Sequence, residues 1–111
     1  MKTSSAKQKG RRLASKVRES LLQWAPDLNE GDIHVTPSGV TGPDLYLSPL
    51  ALKTYPFAIE CKNQEAINIW ASIKQSESHV KTDEIPVLVF SRNHAEVMVC
   101  LKLENFLKLV R

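Results

Sequence analysis

The chain has 111 residues, 42% hydrophobic and 24% charged, the proportions of one globular domain rather than of a disordered or fibrous polypeptide. No uninterrupted apolar stretch approaches the roughly 20 residues that span a bilayer. The opening MKTSSAKQKG lacks the apolar segment of a secretory signal, so the expected location is the cytoplasm. Two cysteines, Cys61 and Cys100, cannot build a disulfide framework, and neither belongs to a C-x-x-C or His/Cys pattern of a zinc site. The net charge of +3 is unevenly spread. Lys2, Lys7, Lys9, Arg11, Arg12, Lys16 and Arg18 all precede the first acid, Glu19, and the remainder carries eight basic against twelve acidic residues. A basic arm on a mildly acidic body is the pattern of a polyanion binder; the other reading is a solvated, solubilising tail.

The first element is a predicted helix, in which Leu13, Val17, Leu21 and Trp24 recur at spacings of four, four and three with Ala14 beside them. Pro26 ends it, and Arg11, Arg12, Ser15 and Glu19 fall on its wet side. Ile33–Thr36 reads as a short strand, and 37–43 as turn chemistry. Asp44–Leu47 is a second strand closed by Ser48-Pro49, and Tyr55–Lys62 a third. A second helix is expected from Asn63, a good N-cap residue, to about His79 or Val80, with Ile67, Trp70, Ala71 and Ile73 on its apolar side. The apolar run Pro86–Phe90 suits a strand buried on both faces, Ser91–Ala95 a turn, Glu96–Leu101 a fifth strand and Glu104–Val110 a terminal helix. The fold class is therefore α/β (α+β), with a mixed central sheet of about five strands flanked by helices and strands two and three side by side.

Three residues carry the chemistry: Asp44, Glu60 and Lys62. Alternate side chains of a strand share a face, so Glu60 and Lys62 point one way and Ile59 and Cys61 the other, into the core. Asp44 heads the preceding strand just after Gly42-Pro43. If those strands pair, both carboxylates and the ammonium group converge at one end. Two carboxylates brought together repel unless a cation sits between them, and the hard, oxygen-ligated ion that suits them is Mg²⁺, with Mn²⁺ as a substitute. Such an ion beside a lysine suits phosphodiester hydrolysis.

Pro43-Asp44, fifteen intervening residues, and Glu60-Cys61-Lys62 resemble the PD-(D/E)XK signature of the restriction-endonuclease-like nucleases, and the order of elements is similar to that superfamily's αβββαβ core. Within it, the small archaeal and viral Holliday junction resolvases look closest, on the basic Gly-containing start of the first helix (Lys9-Gly10-Arg11-Arg12), Glu19 in that helix, and Ser38-Gly39 before the aspartate. The resemblance implies a basic arm (1–10) and a nuclease domain (11–111). It also implies metal ligation by Asp44, Glu60 and the Cys61 main-chain carbonyl, water activation assisted by Lys62, and site roles for Gln75, Glu19 and Ser38. Each of the last three has a structural reading too: Gln75 and Glu19 as solvated helix residues, Ser38 as part of its turn.

The expected activity is Mg²⁺-dependent, structure-selective DNA cleavage by a homodimeric resolvase, a compact unit suited to a phage. Two nicks of matching polarity call for two symmetric sites. Lys7, Lys9, Arg11 and Arg12 would bind phosphates without sequence preference; no membrane or nucleotide cofactor is expected. The alternatives are a nicking, repair or restriction-type nuclease on flap or duplex DNA, and a DNA-binding module without catalysis. His34 is expected to face solvent or DNA, His79 and His94 to stand isolated, Trp24 and Trp70 to be core, and both cysteines to be buried and inert. Phe106, Leu107 and Leu109 of the terminal helix are a candidate dimer surface.

Overall fold

Leu13, Ala14 and Val17 form the buried stripe of helix α1 (Ser4–Trp24), with Leu21 and Leu22 half-buried beside it. The structure is a computed structural model that describes residues 4–81 and 83–111, so Lys2 of the basic cluster lies outside the described residues. Residues 4–10, read as an arm, are the first turns of this same helix. Trp24, expected in the core, is 84% exposed. The chain folds back at once, with Ala25 N–H bonded to Leu22 and Leu28 N–H to Ala25, and Ala25 and Leu28 take the buried places instead.

Asn29 caps a 3-10 turn (Glu30–Asp32) in a reciprocal box: its side chain accepts from Gly31 N–H, and Asp32 accepts from Asn29 N–H. Strand β1 (Ile33–Val35) then pairs antiparallel with β2 (Leu45–Leu47) in the register Ile33↔Leu47, His34↔Tyr46, Val35↔Leu45. Ile33, Leu45 and Leu47 are buried while His34 and Tyr46 face outward, edge to face, as the period of two requires. Ser48, expected only to close β2, accepts from Ala51 N–H and caps a short helix α2 (Pro49–Thr54) with Pro49 at its start.

Strand β3 (Phe57–Asn63), helix α3 (Ile69–Glu77) and strand β4 (Ile85–Ser91) make a βαβ unit with β3 and β4 parallel, and β5 (Met98–Cys100) adds antiparallel to β4. Helix α3 starts later than expected. Asn63 stays in the β3 ladder opposite Ser91, and Asn68 is the residue that caps, accepting from Ala71 N–H. Its buried residues are Ser72, Ile73 and Ser76. Small side chains let the helix pack against β3 and β4, and Trp70, expected in the core, is 87% exposed. Helix α4 (Leu103–Leu109) closes the chain.

The architecture is mixed α/β, but the strands form two sheets, β1-β2 and β3-β4-β5, instead of one of about five strands. β2 is three residues long and ends where α2 begins, so it reaches β3 through one main-chain bond, Asp44 N–H to the Ile59 carbonyl (2.9 Å). The main core lies between α1 and the sheets and includes Leu13, Val17, Ile33, Leu45, Ile59 and Val89. A thinner layer on the other face of β3-β4 is covered by α3. Among the described residues no helix is long and apolar enough to cross a membrane.

Candidate active site

The alternation along β3 divides its chemistry. Ile59 and Cys61 join the core under α1, whereas Ala58, Glu60 and Lys62 lie on the α3 side in register with Pro86, Leu88 and Phe90. Asp44, one residue before β2, arrives at the same place from the other sheet. Its main-chain N–H bonds Ile59, and its carboxylate oxygen Oδ2 accepts from Cys61 N–H at 2.7 Å. Asp44, Glu60 and Lys62 therefore line one cleft of about 330 Å³. The convergence inferred from the sequence is present, although it is made by a single main-chain bond and a side chain instead of a paired ribbon.

Glu60 is 5% exposed, and burial pushes its carboxyl above the ordinary range, with the neighbouring Asp44 charge adding to the rise; His79 and Lys62 oppose it. Burial likewise raises Asp44, against the Cys61 N–H bond and the positive charges of Lys62, His79 and Arg11. The Cys61 thiol is pushed far up by burial and by both carboxylates, so it stays a thiol at neutral pH, as its reading as an inert core residue requires.

The other candidates divide. Gln75 lines the cleft from α3, and Ser38 from the turn between β1 and β2. Lys7 and Arg11, one helical turn apart on α1, stand at its rim, and Arg11 donates to the Thr36 carbonyl (3.1 Å) and to Ser38 Oγ (3.3 Å). Gly39 and Gly42 hold φ of 84° and 135° in that turn, a backbone that a side chain would strain. Lys9 is half-buried and Arg12 exposed. Glu19 is not brought to the cleft. It is exposed on the outer face of α1 in a shallow groove with Arg12, Ser15 and Lys16, as its helical position had indicated.

Two residues escaped the sequence reading. His79, expected to stand isolated, shares a hydrogen bond through Nδ1 with Glu60 Oε2 at 2.6 Å. The turn after α3 carries it there, and it continues the stripe Ser72, Ser76 at spacings of four and three, which is the one signal that would have found it. Asn63, expected to cap a helix, lines the cleft with its Oδ1 buried and without a hydrogen-bond partner, an orphan acceptor of the kind that a ligand or water satisfies. His94 lies in an exposed turn with φ of 62° and does not line the cleft.

The donor set fits a hard divalent cation. The bonds to Cys61 and His79 use Asp44 Oδ2 and Glu60 Oε2, which leaves Oδ1 and Oε1 outside them. The Cys61 carbonyl oxygen borders the cleft, 3.9 Å from where a methyl on Gly10 would sit. All these donors are oxygens, as Mg²⁺ prefers. Among the described residues no three His, Cys, Asp or Glu side chains group as a metal cage, so an ion here would rest on two carboxylates, a main-chain carbonyl and solvent. Comparison with known protein families, with curated proteins and with solved structures gives no match for this chain.

Proposed function

We propose that this chain is a metal-dependent DNA endonuclease of PD-(D/E)XK type, acting on branched DNA as a homodimeric Holliday junction resolvase. The observation that carries the reading is the shared cleft of Asp44, Glu60 and Lys62 with Lys7 and Arg11 at its rim. The element order supports it as well: a helix, three strands, a helix and a fourth strand run in the order of the restriction-endonuclease-like core, with α2 inserted and the sheet divided.

The roles follow from the side chains. Asp44 and Glu60 would hold Mg²⁺ (or Mn²⁺), joined by the Cys61 carbonyl. When bound, the ion neutralises the scissile phosphate and makes water a stronger nucleophile. Lys62 puts a fixed positive charge beside both carboxylates, where it stabilises negative charge building on phosphorus. His79 fixes the direction of the Glu60 carboxylate from behind. Lys7 and Arg11 draw the phosphate chain to the cleft mouth, and Arg12 and Lys16 extend the positive surface along the outer face of α1.

The deciding experiment incubates the protein with Mg²⁺ and matched four-way, flap and linear DNAs, with Asp44→Ala alongside. The reading expects preferred cutting of the four-way junction and none by the variant. Equal cutting of all three DNAs would replace the resolvase by a general flap or duplex nuclease. Cleavage that survives in Asp44→Ala would move the chemistry to another site, and binding without cleavage in Mg²⁺ or Mn²⁺ would leave a DNA-binding module.

A further inference from the structure

The apolar surface of this chain is concentrated at one end. Between residues 97 and 110, Val97, Met98, Val99, Leu103, Phe106, Leu107, Leu109 and Val110 are each 37–71% exposed. Helix α4 buries none of its residues, and an isolated helix of that length has little stability of its own. Strand β5 is the edge of its sheet, paired with β4 alone among the described residues. The segment Val97–Leu101 has no charge, proline or glycine to protect such an edge. On the α1 side of the sheet an apolar groove of about 380 Å³ opens between α1 and α4, lined by Val17, Leu21, Val87, Val89, Val99 and Leu109.

We propose that this β5–α4 face is the contact between two copies of the chain, related by a two-fold axis that sets their β5 strands antiparallel. At about half exposure of side chains of roughly 150–200 Å², the eight residues, spread over both faces of β5 and along α4, present on the order of 700 Å² in all, close to the about 800 Å² that each partner gives to a standard interface. The surface is also complementary to itself. An antiparallel edge strand pairs with its own copy across a two-fold axis, joining two three-stranded sheets into one. Glu104 and Lys108 lie one turn apart on α4, so two antiparallel copies of that helix set each acid opposite the other's lysine. The ion pair of Lys102 with Glu77 joins the start of α4 to the last residue of α3. This gives the homodimer of the functional reading a location, but it rests on the surface alone and is read by mass, so it stands or falls separately from cleavage.

The test is sedimentation equilibrium of the full chain from 1 to 100 µM, with Val99→Lys/Leu107→Glu and, as a control elsewhere on the surface, Trp70→Ser. The expected result is a mass of about 25 kDa, twice the 12.5 kDa chain, for the wild type and Trp70→Ser. The double variant should be monomeric, with its dissociation constant raised at least 100-fold and its circular dichroism at low concentration like that of the wild-type monomer. A wild type that is monomeric at 100 µM overturns the proposal, as does a dimer that survives the double variant or is lost in Trp70→Ser. Amide exchange of the unaltered protein gives an independent reading should the double variant misfold. Residues 97–110 should become protected as concentration rises from 1 to 100 µM, and protection there that ignores concentration rejects the interface.

Discussion

Glu60→Gln tests the candidate site most directly, because it removes one charge while keeping the side-chain shape and an acceptor for His79. Burial and the Asp44 charge raise the Glu60 carboxyl above its ordinary range, so the folded protein holds that proton more tightly than the unfolded chain does. Between the unfolded value, about 4.3, and the raised folded one, the native state carries the extra proton. Stability therefore falls as pH rises through that window and stays lowered above it. Glu60→Gln lacks this loss. Its melting temperature is expected to exceed that of the wild type at pH 8 and to converge with it on acidification towards pH 4. Magnesium should reverse the order. At tenfold excess over its dissociation constant a native-state ligand adds RT ln 11, about 1.4 kcal/mol, which for a domain of this size is roughly 6–11 °C. The wild type should show that gain and Glu60→Gln should not, and cleavage should fall on the order of 10³-fold, about 4 kcal/mol of barrier. Thermal melts followed by circular dichroism from pH 4 to 9, with and without Mg²⁺, measure both effects. A variant less stable than the wild type at pH 8, or a wild-type melt indifferent to magnesium, would refute the reasoning.

Arg18 donates from Nε to the Ile33 carbonyl (2.6 Å) and from Nη2 to the Glu30 carbonyl (2.8 Å), tying α1 to the start of β1; Arg18→Ala should cost about 2–3 kcal/mol in urea unfolding. Replacing Lys7 and Arg12 by Ser should weaken DNA binding about equally for all sequences and lower the slope of log K against log salt by roughly 0.9 per lost phosphate contact, measured by fluorescence anisotropy. The buried, strongly raised Cys61 thiol should be silent to Ellman's reagent at pH 8 in a Cys100→Ser background and react fully only in denaturant.

Much of this structure was legible because its signals are local. Leu13 and Val17 of the first stripe and the apolar run Val87–Val89 are buried as read, and Ile33 is buried with His34 exposed beside it, as their alternation requires. Element boundaries were less so, since Asn63 and Asn68 are equally good caps by residue type and the sheet register decides between them. Trp24 and Trp70 sit at helical spacing from apolar neighbours, yet both are exposed, Trp24 as the last residue of α1 and Trp70 in the first turn of α3. Asp44, Glu60 and Lys62 could be placed together from strand parity alone. His79 could not, because its contact with Glu60 spans nineteen positions and is made only when α3 docks across the sheet.

The division of the sheet, which the sequence did not announce, explains where the cleft lies. Were β2 paired along β3, Cys61 N–H would be spent in the ladder. With β2 ending after three residues, that N–H is left to the Asp44 side chain, and the adjoining Cys61 carbonyl stays at the cleft's edge. An acid so held loses hydration, and a second acid beside it makes ionising both harder still, which is the physical content of the two raised carboxyls. The α1 end of the cleft adds a cost of opposite sign. Lys7, Lys9, Arg11 and Arg12 crowd the first half of α1, whose first turn holds no acidic residue to meet the positive end of the helix dipole. Neither arrangement is stabilising by itself, and the core between α1 and the sheets must offset both. A divalent cation between the acids and a phosphate chain along the lysines and arginines, the ligands of the proposed function, would relieve the two costs together.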